Sequence, residues 1–413
     1  MTGGVALGRS QAMDAGPLTP LVQEFLDRLS SQGYASSTIL RQSTCARHFA
    51  VWLFGSGIAL SDVDEETVEQ FMHHHCRCTG SHHLDRLAKG YRREVRRFVG
   101  FLAAKGVVPT PSPPAAPVID RRVTAFQNWL KLHRGASPWS INQHGTVIMR
   151  LLPALGPEPA AYDAALVRRV ILEESRRGSR YHIRSLTSSL RLYLRFLASR
   201  GECHPDLDHA IPTAIHWRLS ALPRYLPAAD VERLIASCDP MRAAGLRDRA
   251  ILLLLARLGL RSGDIWAMRL DDIEWENGTL RVRGKGRREV RLPLPQDAGD
   301  ALLDYLTKAR PHADTDRVFL RVLAPFRPHR RAAFVTSVVG LALARAGITD
   351  APTHGAHMLR HSAATAMLRA GASLEAIGTV LRHRSVDTTA HYAKVDRLML
   401  SRVAQPWPGD PPC

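Results

Sequence analysis

Two segments in the N-terminal half of the chain share one pattern, and this repetition limits the fold more than any other feature. In both, apolar residues recur at helical spacing and the chain turns at a glycine, Gly33 or Gly135. Each segment closes with a helix ending in Phe-Leu-Ala, with Gly106 or Gly201 three residues later. Glycine favours the position just past a helix because it readily adopts the left-handed backbone conformation. The pattern predicts two related all-helical domains, with chance similarity between helical segments as the alternative.

The pattern of apolar and polar residues changes after residue 222, which predicts a third domain. Residues 230–236 begin a helix, and residues 249–260 are apolar enough to form a buried one. Residues 280–294 alternate between apolar and polar side chains around a central Gly284-Lys285-Gly286. This predicts a β-hairpin with Lys285 at or beside its turn. The predicted fold class is therefore mainly α with a small antiparallel β-sheet.

The chain divides into five predicted regions. Proline-rich residues 109–117 and a second linker at about 203–224 separate the domains. In chain order we expect a flexible tail at 1–17, an extra helical domain at 18–108, a second helical domain at 118–203, a third domain at 222–393 and a C-terminal tail at 394–413.

The charge of the chain predicts its partner. The formal net charge is +18 and the pI about 10.4, and arginine supplies almost all of the positive charge. Such a balance favours a polyanion, and nucleic acid is the usual one. The two closing helices carry arginines beside apolar positions: Arg92, Arg93, Arg96 and Arg97 in the first, and Arg184, Arg191 and Arg195 in the second. Two such helices favour phosphate contact over an ordinary solvated face.

Other broad classes receive no support from the sequence. No apolar run reaches the ~18 residues of a membrane span, and residues 1–17 lack the basic start and apolar core of a secretion signal. The six scattered cysteines do not form a disulfide framework. We therefore expect a cytoplasmic protein that does not bind membranes.

One cluster has the residue types of a zinc site. It comprises His73, His74, His75, Cys76, Cys78, His82 and His83. Because it lacks two regular pairs of ligands, we favour a polar helix end and loop over a metal site.

Reactive side chains follow one another in order through the third domain. They are Arg261, Lys285, His357, Arg360, His361, His383 and Tyr392. His357 and Arg360 share one face of a predicted helix because they are three residues apart. Taken singly, each of these residues has an ordinary structural explanation.

Together they form a site suited to phosphoryl transfer. A tyrosine oxygen that attacks a phosphodiester conserves the bond energy in a covalent phosphotyrosine. Two arginines are suited to bind the non-bridging oxygens, and a lysine or histidine can protonate the leaving oxygen. This chemistry requires neither a metal nor another cofactor.

The order Arg261, Lys285, His357-x-x-Arg360-His361, His383, Tyr392 resembles that of the tyrosine recombinase, or phage integrase, family over about residues 222–393. The resemblance implies DNA cleavage and rejoining for site-specific recombination, integration or transposition of a mobile element. It also implies that 118–203 is a core-binding domain on double-stranded DNA.

The resemblance assigns a role to each motif residue. Arg261 and Arg360 would bind the scissile phosphate, with Asp264 orienting the site. The general acid for the 5′ oxygen would be Lys285, and the nucleophile would be Tyr392. His357 would act in acid–base catalysis, His383 would support the phosphate, and His361 would pack or cap.

Three further expectations come from the resemblance. The family usually has glycine where this chain has Arg382, so the local turn is not predicted. Residues 18–108 exceed a minimal recombinase and are expected to form an additional DNA clamp or a synapse contact. The C-terminal tail is expected either to fold back or to dock on a neighbouring subunit, within a homo-oligomer that is tetrameric on DNA, with partner recombinases as a further option.

Three alternatives stay open. A metal-dependent transposase or nuclease would draw on the carboxylates Asp271, Asp272, Glu274 and Glu276, but two-metal chemistry needs carboxylates from separate segments. A recombinase relative without catalysis would only bind or bridge DNA. A type IB topoisomerase would use similar chemistry without paired sites.

Overall fold

The computed structural model describes residues 16–74, 89–110, 121–176, 180–212, 223–283, 289–383 and 386–392. Several predictions from the sequence lie outside these ranges. They concern the N-terminal tail up to residue 15, the cluster from His75 to His83, the linker from residue 111, Lys285, and the C-terminal tail.

In the first body, the described residues form four helices. They are α1 (Thr19–Ser31), α2 (Ser36–Gly55), α3 (Glu65–His73) and α4 (Lys89–Ala104). Their apolar faces meet in one core that includes Phe25, Phe49 and Phe98. At α3 the Asp64 carboxylate accepts the Thr67 N–H at 2.8 Å, satisfying one of the unpaired donors at a helix start.

The second body repeats this plan. Its helices are α5 (Arg121–Arg134), α6 (Pro138–Leu155), α7 (Ala164–Ser175) and α8 (Arg180–Ser199). They enclose a separate core around Phe126, Leu151 and Tyr193.

The predicted glycine ends of the two closing helices are confirmed. Gly106 and Gly201 have φ of 73° and 70°, and in each case the next N–H bonds a carbonyl five residues earlier, at 3.0 Å. The start of α6 is capped by a side chain, because the Ser137 hydroxyl accepts the Ser140 N–H at 3.2 Å. Helix α2 follows Ala35 and has no side-chain cap.

The third body combines helices with one sheet, as predicted. Its helices are α9 (Ala228–Ala236), α10 (Ala243–Leu258), α11 (Ser262–Ala267), α12 (Gln296–Lys308), α13 (Ala333–Arg345), α14 (Ala356–Arg369), α15 (Leu374–Val380) and α16 (Val386–Ala390). Its strands are β1 (Ile273–Glu274), β2 (Thr279–Arg283) and β3 (Glu289–Pro293), antiparallel in the order β1-β2-β3. The predicted hairpin is β2–β3, in which Leu280 pairs with Leu292 and Val282 with Val290.

The apolar helix α10 organises this third body. Residues 250–256 are all buried, and the helix contacts α9, α12, α13 and α14. The predicted buried helix is thus confirmed, although it starts earlier, at Ala243, and stops at Leu258 because Gly259 is left-handed. Arg261 follows the end of this helix by three residues and is exposed at the surface.

By compactness the chain forms two units, one from Pro111–Arg218 and one from Met1–Thr110 with Leu219–Cys413. The apolar cores of the first and third bodies lie within the predicted 18–108 and 222–393, whereas that of the second body extends past residue 203 to Leu207 and Ile211. The domain boundaries stay a prediction. Within the described ranges, no helix combines the length and apolar character needed to span a membrane.

Candidate active site

Arg261 lies where α10 gives way to α11. Gly259 turns the chain with φ 59°, and a Cβ there would lie 2.5 Å from a Leu381 methyl carbon, so any other residue would be strained and would displace Leu381. Arg261 is exposed, and its N–H donates to Asp264 Oδ2 at 2.8 Å. Because this carboxylate satisfies a free donor of the first turn, the backbone of Arg261 is fixed.

Arg360 lies beneath this turn, with only 1% of its surface exposed. Its Nη1 donates to the Gly259 carbonyl and its Nη2 to the Leu381 carbonyl. These carbonyls terminate α10 and α15, so a cation stands at the negative ends of two helices. Burial, followed by the charge of Arg261, lowers the pKa of Arg360 to about 10, which leaves it protonated at neutral pH.

His383 and Tyr392 form the other side of the site. His383 Nδ1 is hydrogen-bonded to the Thr389 hydroxyl at 2.8 Å, and the His383 ring lies nearly parallel to that of Tyr392 with centroids 6.1 Å apart. Burial, and then Arg360, lower the pKa of His383 to about 4, so its ring is neutral at pH 7.

Tyr392 itself is 2% exposed and packs against Leu368, Ile377 and Leu381. Burial raises the pKa of its hydroxyl, and the charges of Arg360 and Arg261 act in the opposite direction. The hydroxyl therefore needs a base to accept its proton.

Two histidines of α14 complete the cluster. The rings of His357 and His361 have centroids 4.5 Å apart, and that of His361 lies 5.4 Å from Tyr392. Partial burial lowers the pKa of His357, helped by Arg360, and lowers that of His361 to about 4. Both are therefore neutral at pH 7, the form in which an imidazole accepts a proton. His361 packs among the rings, while His357 remains exposed near the surface.

The fold thus gathers five of the six predicted catalytic residues around one point. The sixth, Lys285, lies outside the described residues, in the segment that joins Arg283 of β2 to Glu289 of β3. The catalytic roles of all six stay predictions.

Sequence reasoning missed the part played by Arg382. The family's usual glycine is replaced, yet the turn is kept, because Arg382 itself adopts φ 54°. Its guanidinium forms a salt bridge with Asp264, and both side chains are more than nine-tenths buried. The signal in the sequence was the departure from glycine at that position.

The predicted DNA-binding arginines occupy α4 and α8, and most of them have intramolecular partners. Arg92 pairs with Glu69 at 2.8 Å, and Arg96 with Glu65 and Glu69. The Arg97 guanidinium lies 5.1 Å from the centre of the Tyr34 ring, Arg195 pairs with Asp208 at 2.7 Å, and Arg191 donates to the Ile211 carbonyl at 3.2 Å. Arg93 and Arg184 are exposed. Pairs between exposed side chains, such as Arg96 with Glu65, contribute little to stability.

The described residues contain no group of three or more His, Cys, Asp or Glu arranged to hold a metal. Two of the four carboxylates of the metal-dependent alternative, Asp272 and Glu274, have other partners. Asp272 Oδ2 accepts the Arg269 N–H at 2.9 Å, and Glu274 binds Arg291 and Thr279 at 3.0 and 2.8 Å. Of the histidine- and cysteine-rich cluster only His73 and His74 are described, and His74 Nδ1 contacts the Phe71 carbonyl.

Comparison with known proteins gives concordant matches. Residues 224–398 match the profile of the Phage integrase family. The chain is 37% identical over 407 residues to the putative integrase/recombinase y4rA of Sinorhizobium fredii, covering 96% of each. It is 27% identical over 282 residues to the tyrosine recombinase XerC of Thermodesulfovibrio yellowstonii, covering 66% of this chain and 91% of that protein.

Solved structures show the same fold. A lambda integrase dimer bound to a COC' core site matches with a TM-score of 0.53 and 17% identity, over 67% of this chain and 95% of that one. The XerH site-specific recombinase bound to its difH substrate matches with a TM-score of 0.51 and 20% identity, over 70% and 85%.

Proposed function

Because the chain belongs to the tyrosine recombinase (phage integrase) family, we propose that it cuts and rejoins DNA at a specific site through a covalent 3′-phosphotyrosine at Tyr392. The observation that carries this proposal is the position of Tyr392. It lies between His361 and His383, in the field of Arg261 and Arg360.

The proposed roles follow from the charges at the site. In the transition state, negative charge gathers on the non-bridging oxygens, where Arg261 and Arg360 stabilise it. Neutral His357 accepts the tyrosine proton, and His383 donates a hydrogen bond to the phosphate. The tyrosine oxygen bonds to phosphorus, the bond to the 5′ oxygen breaks, and Lys285 protonates that oxygen. Rejoining reverses each step.

Burial of Tyr392 adds a condition to this sequence. Because only 2% of the Tyr392 surface is exposed, we propose that DNA binding makes its hydroxyl accessible before attack. We propose that this happens within a tetrameric synapse of DNA-bound copies of the chain, which serves the movement of a mobile element. The DNA-bound lambda integrase dimer, as a fold relative, supports such assembly.

The test is adduct formation without metal. A duplex that the full-length chain selects from a randomised pool is nicked near the scissile phosphate, so that the short 5′-hydroxyl fragment diffuses away and the adduct is trapped. We expect an SDS-resistant protein–DNA adduct in EDTA, because the site contains its own cations. Cleavage only after Mg²⁺ is added would identify a metal-dependent nuclease. Binding without cleavage would identify a silent relative, and adducts without sequence preference a topoisomerase.

We also propose that both basic helices bind the DNA backbone. Alanine at Arg184, Arg191 and Arg195 should weaken binding to every sequence and make the salt dependence shallower, by about 0.9 in log–log slope for each phosphate that the variant no longer binds. The same change at Arg92, Arg93, Arg96 and Arg97 should act in the same direction. The measurement is log affinity against log salt. An unchanged slope for the α4 variant alone would remove the first body from the DNA clamp and favour a role between subunits.

A further inference from the structure

The turn after α15 contains an arginine in a conformation that favours glycine. Arg382 is the non-glycine residue with positive φ among the described residues, at 54°. The Arg382 N–H donates to the Thr379 carbonyl at 3.0 Å, and the His383 N–H donates to the Gly378 carbonyl at 2.9 Å. This pair of hydrogen bonds is the usual end of a helix that is followed by a left-handed glycine. Such strain in a non-glycine residue is typically retained where the side chain has a function.

The contacts of Arg382 form a closed ring with the first arginine of the site. The Arg382 guanidinium donates to Asp264 Oδ2, and the same oxygen accepts the Arg261 backbone N–H at 2.8 Å. The Arg382 carbonyl accepts from Arg261 Nη2 at 3.3 Å. The side chains of Arg382 and Asp264 are 8% and 9% exposed, so water competes little for these bonds.

Arg261, by contrast, is exposed to solvent. An exposed arginine has many rotamers, and ordering it on binding costs entropy. The ring removes part of this freedom in advance, because it fixes the backbone of Arg261 through Asp264 and its guanidinium through the Arg382 carbonyl. Preorganised donors of this kind are those that stabilise a transition state best.

We propose that Arg382 is a positioning residue that orients Arg261 toward the scissile phosphate through Asp264. The inference rests on the proposed function, which gives Arg261 a phosphate to bind. A competing role exists: Nε and Nη1 of Arg382 are buried without a hydrogen-bond partner among the described residues, and these donors are available to contact a phosphate directly once the site opens.

A double-mutant cycle separates the two roles. The single-turnover rate of adduct formation is measured with saturating full-length protein on the selected nicked duplex, for wild type, Arg382→Gly, Arg261→Ala and the double variant. We expect Arg382→Gly to slow cleavage on the order of 10-fold, the lower end of the losses seen when partners of metal ligands are removed, with unchanged affinity for the duplex. Glycine suits the left-handed turn, so this variant should fold.

The double variant decides the question. If Arg382 acts through Arg261, the double variant is no slower than Arg261→Ala alone. A further loss in the double variant would overturn the positioning role in favour of direct phosphate contact. A wild-type rate for Arg382→Gly would also overturn it.

Two other variants serve as controls for this experiment. Arg382→Lys keeps the charge opposite Asp264 and should recover part of the rate. Arg257→Ala removes an equally well-paired guanidinium, bound to Glu232 and Asp297 away from the site, and should leave the rate unchanged.

A measurement without catalysis keeps the inference separate from the proposed function. NMR relaxation of the Arg261 Nε–Hε group is measured in the DNA-free protein, with the signal assigned by its loss in Arg261→Lys. It should show greater motion of this group in Arg382→Gly than in wild type. If wild type forms no adduct while this signal responds, the proposed function fails and the positioning role stands. If the signal is unaffected, the positioning role fails.

Discussion

The Tyr392→Phe variant should bind the selected duplex with wild-type affinity and form no covalent adduct. The change removes one oxygen and leaves the ring that packs on Leu368, Ile377 and Leu381, so the fold should hold. No other residue in the proposed mechanism attacks phosphorus. The loss should therefore be complete rather than partial. The measurement is an SDS gel of protein and labelled nicked duplex after extended incubation.

A second tyrosine of the same body serves as the control. Tyr225 accepts a hydrogen bond from Arg369 at 2.9 Å, and the same guanidinium lies over its ring. Tyr225→Phe loses that bond and should form adduct at the wild-type rate. An adduct that persists in Tyr392→Phe, with the attached peptide mapped elsewhere, would transfer the nucleophile to another residue.

Local chemistry explains why much of the fold was predictable. Several elements are each indicated by a pattern within a short stretch of sequence. They are the left-handed glycines Gly106 and Gly201, the apolar helix α10 and the alternating strands β2 and β3. The order of the motif residues likewise predicted that Arg261, Arg360 and Tyr392 would meet. The structure brings them together although Arg360 bonds a carbonyl 101 residues away, that of Gly259.

Contacts that depend on two distant surfaces were not predictable. Asp264 and Arg382 are 118 residues apart, and no local pattern indicates that an arginine will adopt φ 54° to reach a carboxylate. The burial of Tyr392 is likewise a product of packing between α14 and α15.

The two arginines proposed to bind the scissile phosphate should respond differently to substitution. Arg261→Ala and Arg360→Ala are each expected to lose at least about 2.7 kcal/mol of transition-state stabilisation, roughly 100-fold in rate. Arg261 is exposed, so its variant should keep the wild-type melting temperature. Arg360→Ala should melt earlier as well. It leaves the buried carbonyls of Gly259 and Leu381 without their donor, at about 1–3 kcal/mol for an unsatisfied buried group.

Arg360→Lys tests whether charge alone suffices at the buried position. An ammonium group cannot reproduce the planar fork that spans the ends of α10 and α15, so lysine should recover little of the rate. Rates come from single-turnover adduct formation and stabilities from thermal unfolding of the same preparations. A near-normal rate for Arg360→Lys or Arg261→Ala would exclude the assignment of both arginines to the scissile phosphate.

An Arg360→Ala variant that lost activity but melted like wild type would show that the two hydrogen bonds from Arg360 to carbonyls contribute little to the stability of the fold. Arg360 would then act on the phosphate alone.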